Sequence, residues 1–380
     1  MRSREPVLIL GAGLMGRLLA LTLARAGHPV HIVDPAPDAT QAGGAARVAA
    51  AMLAPLAESA VTEPNVVAMG RYALPRWQAL CEGLAQPVYF QQNGTLILWH
   101  RQDAQEAVRF EALLRHTTAR LPDLPAPRAL DAQGVAELEP AVAGRFQRGL
   151  YLPDEGQLDN RQLLDALLAT LATLGVAVQW GTAMTLEQAL GWQNDHPDGW
   201  VLDCRGLGAR EDWPTPNAAG GGPLRGVRGE VARLHAPDVT LQRPTRLLHP
   251  RYPIYIAPKP GHLFVIGATQ IESDDLSPAS VRSTLELLSA AYAVHPGFAE
   301  ARVLELCAQC RPTLPDNLPA VVERAPRVLQ INGLYRHGFM ISPAVHDAVI
   351  EYLQTGRTDL AQRLGLAFAR AEADAPVRTP

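Results

Sequence analysis

The chain is poor in cysteine, with four in 380 residues. So few cannot form a disulfide framework, and the one C-x-x-C, Cys307 and Cys310, lacks the aromatic-rich surroundings of a thioredoxin motif. The pair reads as two buried, unreactive thiols, which suits a reducing cytoplasm. Charge is also scarce. Charged residues make up 19% of the chain and the formal net charge is −4, so the dense positive field that a phosphate backbone requires is missing and no nucleic-acid partner is expected. No apolar run approaches the roughly 20 residues that span a bilayer. The start, MRSREPVLILGAG, passes from charges straight into a short apolar strand, so neither signal peptide nor membrane anchor is expected. A G-x-S-x-G elbow and a P-loop are both missing, which argues against hydrolase and kinase chemistry. The eleven histidines show no ligand spacing with cysteines or acids, so no metal is expected.

What is present suits two domains. The chain is longer than a single core usually grows, and its 47% apolar content can fill two. VLIL (Val7 to Leu10) predicts a buried strand, GAGLMG a tight turn, Arg17 to Ala26 a helix ended by Gly27, and HPVHIVD a second strand. Further on, a helix is expected around Val66 to Leu84 and a strand at NGTLILWH. A loop is expected in the Pro-rich 121–127, and a helix capped by Asp159 or Asn160 runs through LDNRQLLDALLATLATLGV. VAVQW and WVLDCRGLG read as strands. AAGGGP (Ala218 to Pro223) reads as a crossover or mobile loop. RGEVARL, YPIYIAP and HLFVIGAT predict a largely antiparallel sheet. Ser280 to Ala291 is helical in pattern, VLQING returns to strand, and a final helix is expected from about Ala344 to Leu353 before a frayed tail at 370–380.

The opening motif carries the first functional signal. Gly11 permits the turn out of the strand, Gly13 lets the backbone approach a pyrophosphate, and Gly16 lets the helix lie against the sheet, with Met15 beside it. The helix N-terminus then offers unpaired N–H groups to phosphate. Asp34 ends the second strand, where a carboxylate accepts hydrogen bonds from ribose hydroxyls and repels a 2′-phosphate, which disfavours NADP. Strand, turn, helix, strand and acid in this order indicate dinucleotide binding, with FAD and NAD still both open.

These segments resemble the D-amino acid oxidase superfamily of flavoproteins, and most closely its glycine oxidase branch associated with thiamine biosynthesis. The likeness includes GAGLMG with Asp34, AAAMLAP (Ala49 to Pro55), LDNRQLLDAL, CRGLGA (Cys204 to Ala209), LRGVRGEV, YIAPKPGHLFVIGAT, CRPTLPDNLPAV and GLYRHGFMISPA. It implies FAD as cofactor and an α/β fold: a Rossmann-type FAD-binding domain (1–85, 155–217 and 325–365) with an α+β substrate domain on a largely antiparallel sheet (86–154 and 218–324). It implies cofactor contacts at Ala51 and Met52 against the flavin ring, at Gly206 and Gly208 in a second glycine turn, and at Gly338, Phe339 and Met340 ahead of the closing helix. It assigns the substrate carboxylate to Arg311, set in a loop, with Tyr255 beside it and Arg336 over the active site. The chain departs from the family at Ala51 (usually Gly), Lys259 (often Arg), His337 (often Asn), Pro319-Ala320-Val321 and the loop around Gly221.

The activity so implied is oxidative deamination of glycine, sarcosine or a small D-amino acid by hydride transfer to FAD. Oxygen is the expected acceptor and a homo-oligomer the expected assembly. Two alternatives stand beside it: a dehydrogenase of an amine or 2-hydroxy acid with another acceptor, and a non-catalytic flavin-binding subunit.

Overall fold

The computed structural model describes residues 4–41, 44–121, 123–213 and 223–370. Strand Val7–Leu10 is buried along its whole length, as a parallel strand covered on both faces must be. It pairs in parallel with Val30–Val33 on one side and Trp200–Asp203 on the other. The full sheet runs Ala367–Arg370, Ala320–Ala325, Val328–Asn332, Trp200–Asp203, Val7–Leu10, Val30–Val33, Val178–Gln179. Among these pairings only that between Ala320–Ala325 and Val328–Asn332 is antiparallel. Residues 320–324, expected in the second domain, are therefore hydrogen-bonded into the first sheet. Residue 370, expected in the frayed tail, ends a strand paired to it, and the rest of that tail lies outside the described residues. So does AAGGGP, apart from Pro223.

The first helix, Leu14–Arg25, starts three residues before the expected Arg17, because Gly16 belongs to its first turn. A Cβ on Gly16 would lie 2.0 Å from the Gly11 carbonyl oxygen, so the helix rests on the strand end at a distance only glycine allows. Helix Asn160–Thr173 packs beside it. Its cap is Asp159, whose carboxylate accepts from Arg161 N and Gln162 N at 2.9 Å each. Helix Leu186–Asp195, closed by a Thr185–Gln188 capping box, stands between segments that read in sequence as consecutive strands. Of VAVQW only Val178–Gln179 is strand, and CRGLGA forms a 3-10 turn, Gly206–Asp212, in place of a strand end.

The last long helix runs Gly338–Thr355 and starts six residues before the expected Ala344. Pro343 inside it has no N–H for the carbonyl of Phe339, and Trp77 Nε1 from helix Pro64–Glu82 donates to that oxygen instead, at 3.0 Å. The carbonyl that proline would orphan is thereby satisfied.

The second sheet has eight strands: Arg302–Thr313, Arg225–His235, Leu263–Gly267, Ile254–Lys259, Thr245–Leu248, Thr95–Trp99, Arg148–Leu152, Arg128–Asp131. All its pairings are antiparallel except that of Thr245–Leu248 with Thr95–Trp99. One finding corrects the sequence reading. Arg311 stands on the edge strand Arg302–Thr313, opposite Val227, and not in a loop. Separate apolar clusters fill the two sheets' interiors, one around Ile9, Leu18 and Ile331, the other around Ile256, Phe264 and Leu287.

Candidate active site

One cavity of about 1340 Å³ is lined by residues from both sheets. Its first end lies over the glycine turn. Gly11, at φ +94°, has no room for a Cβ, which would meet the Cys204 carbonyl oxygen at 2.8 Å. A Cβ on Gly13 would meet nothing within 4 Å, so its backbone faces open cavity. The helix it precedes has no side-chain cap, which leaves first-turn N–H groups for an anion. Behind the turn, Arg17 Nε donates to Ala12 O at 2.6 Å and Nη1 to Leu164 O at 2.7 Å, and burial lowers its pKa to about 10. Asp34 is held by Ala12 N at 2.7 Å and Ala36 N at 2.8 Å. Each oxygen keeps acceptor capacity toward the cavity it lines.

The middle of the cavity is walled by Ala50, Ala51 and Met52. Ala51 takes φ +52°, a glycine conformation carried by a residue with a Cβ. Lys259, the only lysine of the chain, is buried here. Its Nζ donates to Ala50 O at 2.9 Å, Gln157 Oε1 at 3.0 Å and Leu158 O at 2.7 Å, using all three hydrogens. Burial pulls its pKa down to about 7. Asn160 Nδ2 holds Ala46 O and Arg47 O on the same run. Gly206, at φ +57°, and Gly208 line the cavity too, with Asn332 Nδ2 donating to Gly206 O at 2.9 Å. Gly338, Phe339 and Met340 were expected ahead of the closing helix. They are its uncapped first turn, set in the cavity wall.

The far end carries the charges. Among the described residues Arg311 makes hydrogen bonds only to carbonyl oxygens, Arg228 O at 3.3 Å and Thr269 O at 3.2 Å, and burial lowers its pKa. Two glycines make room. A Cβ on Gly229 would lie 2.2 Å from Arg311 Nη2, and one on Gly267 would lie 2.4 Å from Tyr255 Oη. These glycines, one inside strand Arg225–His235 and one ending strand Leu263–Gly267, are the sequence signal for the site. Tyr255 faces the cavity from its strand, and burial raises its pKa. Arg336 stands at the rim, but its Nη2 and Nε bind Glu58 Oε2 at 2.5 and 3.1 Å. Arg246 Nη2 takes the other oxygen at 2.5 Å. Burial alone would raise the Glu58 pKa, and Arg336 and Arg246 override it and hold the carboxyl well below the usual range. Burial lowers His337 to about 4. Sequence reasoning brought Arg311, Tyr255 and Arg336 to this end and missed Glu58, Arg246 and the brace Arg17. It named Lys259 only as a departure from the family.

The family model for FAD dependent oxidoreductases matches residues 6–351. The chain belongs to that family. A protein of Rhizobium etli named for the thiamine biosynthesis oxidoreductase ThiO is 41% identical over 349 residues, covering 92% of this chain and 96% of its own. The glycine oxidase of Geobacillus kaustophilus is 26% identical over 379 residues, covering 94% and 95%. The solved iminodiacetate oxidase of Chelativorans sp. BNC1 superposes with a TM-score of 0.76 over 97% of this chain and 100% of that one. At 20% identity that last likeness is one of fold. The cofactor of this oxidoreductase is FAD, and the cavity fits it. Gly13 and the uncapped helix suit the pyrophosphate, Asp34 a ribose, and the run 50–52 with Gly338 to Met340 a flavin. No helix among the described residues is long and apolar enough to cross a membrane.

Two measurements test the site's construction. Asp34→Ala removes the ribose acceptor and should weaken FAD retention at least about tenfold, read as flavin released on gel filtration; unchanged retention would remove Asp34 from the cofactor site. Glu155 is the second. It is buried beneath helix Pro55–Glu58, accepts Ala57 N at 2.7 Å, and burial raises its pKa from 4.5 to about 7. A raised carboxyl pKa contributes stability that is complete below the unfolded value and is lost as pH rises through the folded one. Between pH 4.5 and 8, wild type should therefore lose on the order of 3 kcal/mol relative to Glu155→Gln. Urea unfolding at both pH values checks this, and an equal gap at both would contradict it.

Proposed function

We propose that the chain oxidatively deaminates a small amino acid, glycine, sarcosine or a small D-amino acid, with transfer of its α-hydrogen as hydride. The observation that carries this reading is Arg311: a guanidinium in the cavity wall whose hydrogen bonds, among the described residues, go only to two carbonyl oxygens. It needs an anion, and its planar fork accepts a carboxylate through two parallel bonds, fixing the α-carbon above the cofactor. Tyr255 keeps its proton, since burial raises its pKa, and donates to the same carboxylate. Arg336 stands over the substrate's polar end with its charge directed to Glu58.

FAD, when bound, accepts the hydride and passes the electrons to oxygen, giving hydrogen peroxide. The oxidised substrate, an imine, takes up water and yields an oxo acid and ammonia or an amine. No enzymic base is required, in keeping with Glu58 being tied to two arginines and with His337, which burial lowers to about 4, being a poor proton acceptor. Fixed orientation, desolvation and a positive field for the carboxylate are the protein's contribution. The names of the Rhizobium and Geobacillus relatives support the amine substrate and a service to thiamine biosynthesis. A cytoplasmic homo-oligomer using oxygen completes the proposal, with four unpaired cysteines in keeping with a reducing compartment.

Arg311→Met should lower kcat/KM at least about 100-fold and raise KM while FAD stays bound, because a charged bidentate contact is lost without touching the cofactor end. Unchanged steady-state kinetics in a flavin-loaded variant would contradict the role.

A further inference from the structure

Glu58 is the last residue of the short helix Pro55–Glu58, which follows directly on the run that walls the middle of the cavity. The helix is pinned from behind by Glu155, so the Glu58 carboxylate is delivered to the substrate end, its side chain only 12% exposed. There Arg246 takes one oxygen and Arg336 the other, each at 2.5 Å, and His337 Nδ1 lies 3.4 Å from the second. Arg246 stands opposite Tyr255 in the sheet register, and its Nε is buried with no hydrogen-bond partner among the described residues. Two guanidiniums gripping one carboxylate is how a protein recognises a carboxylate ligand. Here the carboxylate belongs to the protein. Among the described residues Arg311 hydrogen-bonds to carbonyl oxygens and to no carboxylate.

We infer that Glu58 selects substrate by charge: it occupies from the protein's side the place of a second substrate carboxylate, and so confines the pocket to amines bearing one. The inference rests on the proposed reading of Arg311 as the anchor of the first carboxylate. Its physical basis is occupancy and repulsion: Glu58 already takes hydrogen bonds from Arg246 and Arg336, and its own negative charge opposes a second substrate carboxylate brought to the same place. Neutralising Glu58 frees Arg246 and Arg336 together, and the pair then forms a ready site for a further anion.

The test uses flavin-loaded protein and ligands that need no turnover. Acetate and malonate are titrated against wild type and variants, following the visible flavin spectrum. Glu58→Gln should raise the affinity for malonate relative to acetate about tenfold or more, while Glu58→Asp, which keeps the charge, stays within about threefold of wild type. Arg246→Met should shift the ratio the opposite way, against malonate, and it carries the test if Glu58→Gln loses its flavin. A ratio unmoved in Glu58→Gln, or in Arg246→Met where that variant stands alone, overturns the inference. Turnover of glycine and iminodiacetate by the same proteins separates the two readings. Glycine oxidation with a flat malonate-to-acetate ratio sinks the role of Glu58 alone, whereas a shifted ratio with no amine oxidised by any protein sinks the proposed reaction.

Discussion

A guanidinium taken out of water must be given oxygens, and carbonyls satisfy its hydrogens without cancelling its charge. That constraint organises the substrate end of the cavity. Arg246 and Arg336 meet it by sharing Glu58, while Arg311 receives, among the described residues, only the carbonyls of Arg228 and Thr269. The long antiparallel pair of Arg225–His235 and Arg302–Thr313 fixes where Arg311 stands, and Gly229 and Gly267 vacate the volume that it and Tyr255 fill. An incomplete charge balance of this kind costs stability, and it is retained where a ligand completes it.

The two ends of the cavity are mechanically joined by one stretch of chain. Residues 50–58 form the cavity's middle wall and then deliver Glu58 to the substrate end. Lys259 grips the start of this stretch from the second sheet through Ala50 O and ties it to Gln157 and Leu158, and Glu155 grips its end through Ala57 N. Ala51, at φ +52°, turns the chain between them. In the proposed reading cofactor and substrate are positioned by the same backbone, so a change in either grip is felt at both ends.

Much of this was legible in the sequence, and the reasons for the rest are physical. The glycine turn and Asp34 were readable because dinucleotide binding demands a fixed local order of strand, turn, helix and acid within about thirty residues. The start of the last helix was misplaced because Pro343 normally forbids a preceding turn, and the compensating donor, Trp77, lies 262 residues away at Phe339 O. Arg311 read as loop because the Pro-rich residues after it hide a strand that exists through pairing with Arg225–His235. Glu58, in a run of alanine and leucine, carries no local mark. Its role depends on Arg246 and Arg336, which lie 188 and 278 residues away and meet it only in the folded chain.

The central claim is that a carboxylate-bearing amine sits on Arg311 and passes its α-hydrogen to FAD. Its most direct test is the visible spectrum of the purified, oxygen-free protein before and after addition of glycine, sarcosine and small D-amino acids. The account predicts an oxidised flavin spectrum that bleaches with at least one of these and returns on admission of air with formation of peroxide. A flavin spectrum that no amino acid bleaches, but that a 2-hydroxy acid does, would contradict it.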